Sequence, residues 1–293
     1  MVVSPLTGSQ ARRVGAIPAA KIIELYAPYA DVARFFADLK EVSIYECADT
    51  GYRFYYPFTL ASDGPFYEAL AKEELYYLPW KWEHEIASQY IKDNDTVLEF
   101  GCADGDFLLE MQKRRGIAAY GAELNETARA TAAARGVRFS PVAGADVVCA
   151  FEVLEHIADV RAFVAEAVAA LRPGGHLIFG VPNNDSFIKD DPTCFLNMPP
   201  HHMGLWSERS LRALAAHFPL ETVAIHQEPI QRHHFRHYYQ VRCGDRFRRF
   251  GLAGKVFNKI AFELLARPLI ALFARRIVGH TILAVYRKRA EGS

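Results

Sequence analysis

The chain has 293 residues, room for one large domain with appendages or for two small ones. Half of it is hydrophobic and 34 basic residues balance 34 acids, the ordinary profile of a soluble globular protein. Its five cysteines, Cys47, Cys102, Cys149, Cys194 and Cys243, are odd in number, scattered and without a CxxC pair, which argues against a disulfide framework or a zinc site and for a reducing, cytoplasmic setting.

Residues 1–17 hold no apolar core of signal-peptide length and read as a flexible tail. Residues 18–85 read as a helical, aromatic-rich cap. Tyr67, Tyr76, Tyr77, Trp80 and Trp82 are too many aromatics for a surface, so they pack this segment onto the next domain or line a pocket, with packing expected for most. "YYPFTLASDGPF" is a turn-rich loop.

A strand–helix alternation then begins. "TVLEF" is a strand and "GDFLLEMQKRR" a helix; "AAYGAEL" is a strand and "NETARATAAARG" a helix ended by Gly136. "VRFS" and "DVVCAFEV" are strands, "DVRAFVAEAVAALRPGG" a helix, "HLIFGVPN" a strand. "SERSLRALAAHF" is a helix with Ser207 as its N-cap, and "LETVAIHQE" and "HTILAVYRK" are the last strands. The alternation predicts an α/β fold with a doubly wound, mostly parallel sheet over 86–230 and 279–290.

Residues 231–278, too long for a hairpin loop, form a basic insert whose "LAGKVFNKIAFELLARPLIALFARRI" is amphipathic at helical spacing. Glu263, Arg267, Pro268, Arg275 and Arg276 interrupt the apolar run, so a membrane-spanning helix is not expected. Residues 1–230 carry 20 Lys and Arg against 31 acids, and residues 231–293 carry 14 against 3. Either the two ends neutralise each other in the fold, or the basic end meets a phosphate, a nucleotide or an anionic membrane. Nucleic acid is not expected, because the basicity is local and no RNA-binding module accompanies it.

In sheets of this kind ligands sit outside the carboxyl ends of the strands, where the strand order reverses. There "TVLEFGCADGDFLLEM" sets Glu99 two residues before Gly101, with Ala103 and Gly105 following. Glycine in such a turn lets the backbone approach a ligand closely. Twenty-two residues beyond Gly101, Glu123 ends the second strand, where a carboxylate can accept both hydrogen bonds of a ribose diol. An adenosine cofactor of any kind, NAD included, fits so far. A dinucleotide turn, however, faces a pyrophosphate, which Asp104 and Asp106 would repel, whereas acids suit a sulfonium with its ammonium group.

The run resembles the first motif of the class I S-adenosylmethionine-dependent methyltransferases, acid-x-Gly-x-Gly-x-Gly, with Ala103 in the middle glycine's place. The similarity continues through Glu123, "DVVCAFEVLEHI" and "LRPGGHLIFGVPN", and covers roughly residues 85–230 and the final strand. It implies a Rossmann-like seven-stranded sheet and S-adenosylmethionine as cofactor, held by Glu99, Gly101, Cys102, Ala103, Gly105, Glu123, Leu124, Phe151 and Glu152. "SPVAGAD" offers no acid for the adenine amino group.

Two constellations could handle the acceptor. In "FEVLEHI", Glu152, Glu155 and His156 fall at i, i+3 and i+4, one face of a helical turn. This resembles the Glu-x-x-Glu-His of ubiquinone-pathway O-methyltransferases and small-RNA 2'-O-methyltransferases, where it binds a divalent cation. The same run stands in many class I enzymes without metal, so a metal-free site is expected and these three residues are the reserve set. In "NMPPHHMGLWS", His201 and His202 follow two prolines on the same rim, and Trp206 offers a stacking platform. Imidazole has the pKa of a general base near neutrality, which makes His202 or His201 the expected base, with His156 in support. This segment and the aromatic region ahead of the core look like bacterial methyltransferases of sugar and polysaccharide biosynthesis. The resemblance implies O-methylation of a sugar or glycan precursor, with or without a phosphate. A quinone, phenolic or natural-product acceptor, an NAD-dependent oxidoreductase, and a cofactor-binding protein without turnover remain as alternatives. The insert is expected at a substrate pyrophosphate, a homodimer contact or a membrane surface.

Overall fold

The computed structural model describes residues 1–70, 80–243 and 251–290; Tyr76 and Tyr77 lie outside them. The chain opens on a strand, which corrects the flexible tail expected over 1–17. β1 (Ala11–Pro18) pairs antiparallel with β2 (Glu41–Cys47). Ahead of it Ser4 and Leu6 are buried, and the Arg161 N–H donates to the Pro5 carbonyl at 3.1 Å. Leu6 and Ala11 give this segment apolar surface to bury, a property that the search for a signal-peptide core does not weigh.

The helical cap expected over 18–85 is also corrected. After α1 (Ala19–Tyr26), β2 and β3 (Arg53–Tyr56) form a hairpin around Gly51 at φ +69°. "EVSIYEC" and "RFYY" are rich in β-branched and aromatic residues, and the intervening turn supplies the positive φ that glycine tolerates. α2 (Gly64–Leu70) and α3 (Trp82–Ser88) lead to the main sheet. Trp80 stacks on Phe107 at 5.9 Å under the Arg114 guanidinium, and Trp82 packs beside it, so both aromatics pack as expected.

The alternation then follows the sequence: β4 (Thr96–Phe100), α4 (Asp106–Arg115), β5 (Ala118–Ala122), α5 (Glu126–Ala134), β6 (Ala145–Phe151), α6 (Val160–Ala170) and β7 (Leu171–Pro182). Asn125 and Asp159 cap α5 and α6 by accepting a backbone N–H. A two-residue strand, β8 (Gly204–Leu205), joins β3 and so extends the small sheet to β1-β2-β3-β8. α7 (Glu208–Leu214), capped by Ser207 as expected, leads to β9 (Leu220–Pro229). The insert holds α8 (Phe235–Cys243), α9 (Gly251–Ala261) and α10 (Arg267–Phe273) before β10 (Val278–Lys288).

The main sheet runs β5-β4-β6-β7-β10-β9, with β10 antiparallel to both neighbours. It has six strands among the described residues, where seven were expected. "VRFS" contributes a single parallel bridge, Tyr120 to Arg138, because it is too short to continue a ladder at the sheet edge. Helices on both faces bury the apolar runs of β4, β6 and β7 in two clusters, one centred on Phe179 and Val148, the other on Ile178 and Val147. No helix among the described residues is long and apolar enough to cross a membrane.

Candidate active site

β5 lies on one side of β4 and β6 on the other, so the order reverses where β4 ends. The turn there runs through the left-handed region: Gly101 has φ +70°, Ala103 +44° and Gly105 +80°. A Cβ on Gly101 would lie 2.4 Å from Val153 Cγ2, so close packing as well as φ demands glycine. Ala103 is held in its uncommon conformation by donating its N–H to Glu123 Oε2 at 3.0 Å, while Glu123 Oε1 accepts the Asn125 N–H at 2.7 Å. Glu123 thereby ties the turn to the end of β5. Asp106 pairs with Arg135 at 2.7 Å, which takes up its charge.

Glu99 is different. It is buried, and its Oε2 has no hydrogen-bond partner. Burial, aided by Glu123 and Asp106, pushes its carboxyl up to about 8. Cys102 is buried beside Gly121, Leu124 is exposed, and Phe151 packs edge-on to Phe107 at 4.9 Å. Glu152 follows at φ +53°, a strained conformation for a non-glycine residue. The nine residues expected at the cofactor thus stand at the carboxyl ends of β4, β5 and β6.

The two acceptor constellations, separate in the sequence, form one cluster. The imidazoles of His156, His201 and His202 place ligand nitrogens within 4.8 Å of one another. Each Nδ1 meets a carbonyl-type oxygen: His156 the His201 carbonyl at 2.6 Å, His201 the Leu196 carbonyl at 2.9 Å, and His202 the Asn197 Oδ1 at 3.1 Å. A carbonyl only accepts, so each Nδ1 carries the proton and each Nε2 a lone pair. Glu155 is fully buried; its carboxylate oxygens meet no N–H or O–H donor, and the Glu152 carboxyl beside it can bond it only when one of the two acids carries a proton. Its Oε1 stands 3.9 Å from Nε2 of His156 and 3.9 Å from Nε2 of His202, too far to bond directly.

Burial lowers the His156 pKa to about 4; burial and neighbouring imidazoles hold His201 and His202 well below the usual range, so all three are neutral near pH 7. Burial and then Glu152 raise Glu155 well above the ordinary carboxylate range. The loop carrying His201 and His202 is fixed at its base by β8 and by Met203 and Gly204, whose N–H groups donate to the Glu155 carbonyl at 2.7 and 2.8 Å. Tyr67 completes the surround, its ring centroid 5.7 Å from His156 and 6.0 Å from His201.

Trp206 is no stacking platform. It is fully buried against Tyr52 at 4.2 Å, because β8 draws it under the small sheet. Four titratable residues were missed by the sequence reading. Glu83 and Glu228 are buried, Lys81 Nζ lies 3.8 Å from Glu83 Oε1, and Glu228 Oε2 accepts the N–H groups of His280 and Thr281 at 2.9 and 3.0 Å. His280 is half-buried, and desolvation lowers its pKa to about 4. The clue lay in "KWEHE", which sets charges beside Trp82 at the start of a helix, and in Glu228, an acid near the end of β9.

A family model described as "Methyltransferase domain" matches residues 74–225, just over half of the chain. A curated protein of Mycolicibacterium smegmatis, named "Probable S-adenosylmethionine-dependent methyltransferase", is 31% identical over 125 residues, 37% of this chain and 47% of that protein. The match therefore spans about half the length of the relative. Among solved structures, a methyltransferase from Geobacter sulfurreducens with S-adenosyl-L-homocysteine is 16% identical, with a TM-score of 0.46 over 78% of this chain and 100% of that one. A methyltransferase from Thiobacillus denitrificans with the same ligand is 14% identical, with a TM-score of 0.45 over 78% and 98%.

Proposed function

The chain belongs to the methyltransferase-domain family, and from that membership we propose that it transfers a methyl group from S-adenosylmethionine to a hydroxyl of a small acceptor with adjacent oxygen atoms. Sugars and glycan precursors have that chemistry, as do catechol-type phenols. The name of the mycobacterial relative points to the same donor.

The residues present suit the donor. Glycine at 101 leaves the backbone bare, and the unbonded Glu99 Oε2 would accept from the ammonium group of the methionine part. Glu123 would receive the ribose hydroxyls with the lone pairs that its two backbone bonds leave over. When bound, the donor supplies a methyl group activated by its sulfonium, and the protein's task is to align a nucleophilic oxygen and remove its proton.

The single observation that carries the acceptor chemistry is the unbonded Glu155 carboxylate facing imidazole lone pairs. Two donors each about 2.1 Å from a cation stand about 3.0–4.2 Å apart; the 3.9 Å gaps from Glu155 lie in that range, and the imidazole nitrogens, spread over up to 4.8 Å, would draw together on binding. His156, His201, His202 and Glu155 would hold a divalent cation, with Glu152 next to Glu155. Such a cation lowers the pKa of a nearby hydroxyl and fixes its position. The carbonyls at each Nδ1 set the tautomers, and β8 holds the loop.

Label from methyl-labelled donor, traced into nucleotide sugars, glycans and catechols and identified by mass, tests the reading. Product should appear with Mn²⁺ or Mg²⁺ and vanish after chelation. Product that survives exhaustive chelation would transfer proton removal to His202 Nε2 itself; no product from any hydroxylated pool would sink the O-methyl reading.

A further inference from the structure

The insert presents a second surface unrelated to methyl transfer. α9 and α10 are joined by a π-wound turn, Phe262–Ala266, into one continuous helical segment. One side of it is anchored: Phe262 and Ile270 are buried in a cluster with Phe235 and Tyr239. The opposite side is equally apolar and faces solvent. Val256, Ile260, Leu264, Leu265, Leu269 and Leu272 are all more than half exposed, Leu264 at 70% and Leu272 at 75%.

The π turn explains how these residues align. An uninterrupted α-helix advances about 100° per residue, which would carry Leu269 well past the face of Val256 and Ile260. One extra residue in the turn sets the following helix back by about 100°. Leu269 and Leu272 thereby fall in line with Val256, Ile260 and Leu264. The same rephasing keeps Phe262 and Ile270 together on the anchored side, so the turn serves both the buried face and the exposed stripe.

Charge decides what the stripe fits. Lys255, Lys259, Arg267, Arg275 and Arg276 are exposed along the same segment, against one acid, Glu263, which pairs with Arg267 at 2.7 Å. The segment's net charge is +4 in a chain end, residues 231–293, that carries 14 basic residues and 3 acids. A second copy seated on the stripe would bring two such cationic rows together; an anionic bilayer would pair them while taking up the leucines. The insert leaves the sheet at the end of β9 and returns at the start of β10, the same rim that carries the candidate active site.

We infer that this face docks the protein on anionic membrane surfaces, the leucine stripe entering the headgroup region and the lysines and arginines pairing with lipid phosphates. Full-length protein is sedimented with vesicles of phosphatidylcholine alone and with vesicles containing about one quarter phosphatidylglycerol. Expected is partition to the anionic vesicles that weakens with salt, and that falls at least about tenfold both in Leu264→Asp with Leu272→Asp and in Lys255→Glu with Lys259→Glu. Melting temperature is measured for each; should the aspartate pair melt lower, the charge-reversed pair carries the comparison. Absence of partition to anionic vesicles, or partition untouched in a folded charge-reversed protein, overturns the inference. So does a dimer in light scattering that the aspartate pair dissolves while vesicles recruit nothing.

Discussion

Glu155 is a carboxylate that the rest of the fold leaves unanswered. A buried acid without a hydrogen bond destabilises the chain that holds it, and a neutral isostere relieves that cost. Two effects of opposite sign follow for Glu155→Gln. The metal-free protein should melt at the same temperature or higher, while affinity for Mn²⁺ or Zn²⁺ drops at least about tenfold by titration calorimetry. A purely structural glutamate would show the reverse, a lower melting point with cation affinity unmoved. The sequence disclosed this residue's company only in part. Glu152, Glu155 and His156 lie within five residues, so their grouping was readable, although the structure sets them in a tight turn with Glu152 at φ +53° and not on the helical face expected. His201 and His202, some 45 positions on, join them through a loop fold that no local pattern encodes. Glu99 and Glu123 were legible because a strand-ending acid at a fixed interval is a local signature, whereas Glu83 and Glu228 come from a helix and a strand that meet only in three dimensions.

At the scale of elements, the two-residue strand β8 matters beyond its length. Gly204 in it sits against Tyr52, and a Cβ there would lie 2.4 Å from the tyrosine hydroxyl and 3.1 Å from Trp206 Nε1. Both side chains are fully buried. Gly204→Ala should therefore cost about 1–3 kcal/mol, visible as a lowered melting temperature, and should loosen the histidine loop. Cation affinity should fall while donor affinity stays. Because the Tyr52 hydroxyl makes no hydrogen bond, Tyr52→Phe removes the obstructing atom at little cost and should restore Gly204→Ala in the double variant. A double variant as weak as the single one would refute this account of the loop. The core strands and helices were readable from β4 to β9, since their alternation and caps are local. The small sheet escaped notice because β8 is too short for a pattern and its partners lie some 150 residues earlier.

For the molecule as a whole, buried acids and buried imidazoles set opposing pH limits. Glu99 and Glu228, raised from the ordinary 4.5 to about 8 and about 7, contribute stability that is complete below 4.5 and lost as pH rises through those values. His84 and His280, lowered from 6.5 to about 3 and about 4, contribute stability that is complete above 6.5 and lost as pH falls toward those values. The ligand-free protein should then melt highest between pH 4.5 and 6.5 and decline toward pH 8.5, by scanning calorimetry. S-adenosylhomocysteine, whose ammonium group favours the ionised form of Glu99, should raise the melting temperature more at pH 8.5 than at pH 6. A ligand shift equal at both would remove Glu99 from the ammonium position.

The order of the small sheet bears on how the chain can be cut. The family match begins at residue 74, after three of the four strands of the small sheet, β8's partner β3 among them, have passed. A fragment trimmed to that boundary keeps the glycine turn, Glu99 and Glu123, yet leaves Gly204 and Leu205 with nothing to pair against. Such a fragment would keep a seat for the methyl donor and the three histidines themselves, yet lose the strands that brace their loop, so on the proposed chemistry the support for the acceptor site comes from outside the stretch that defines the family.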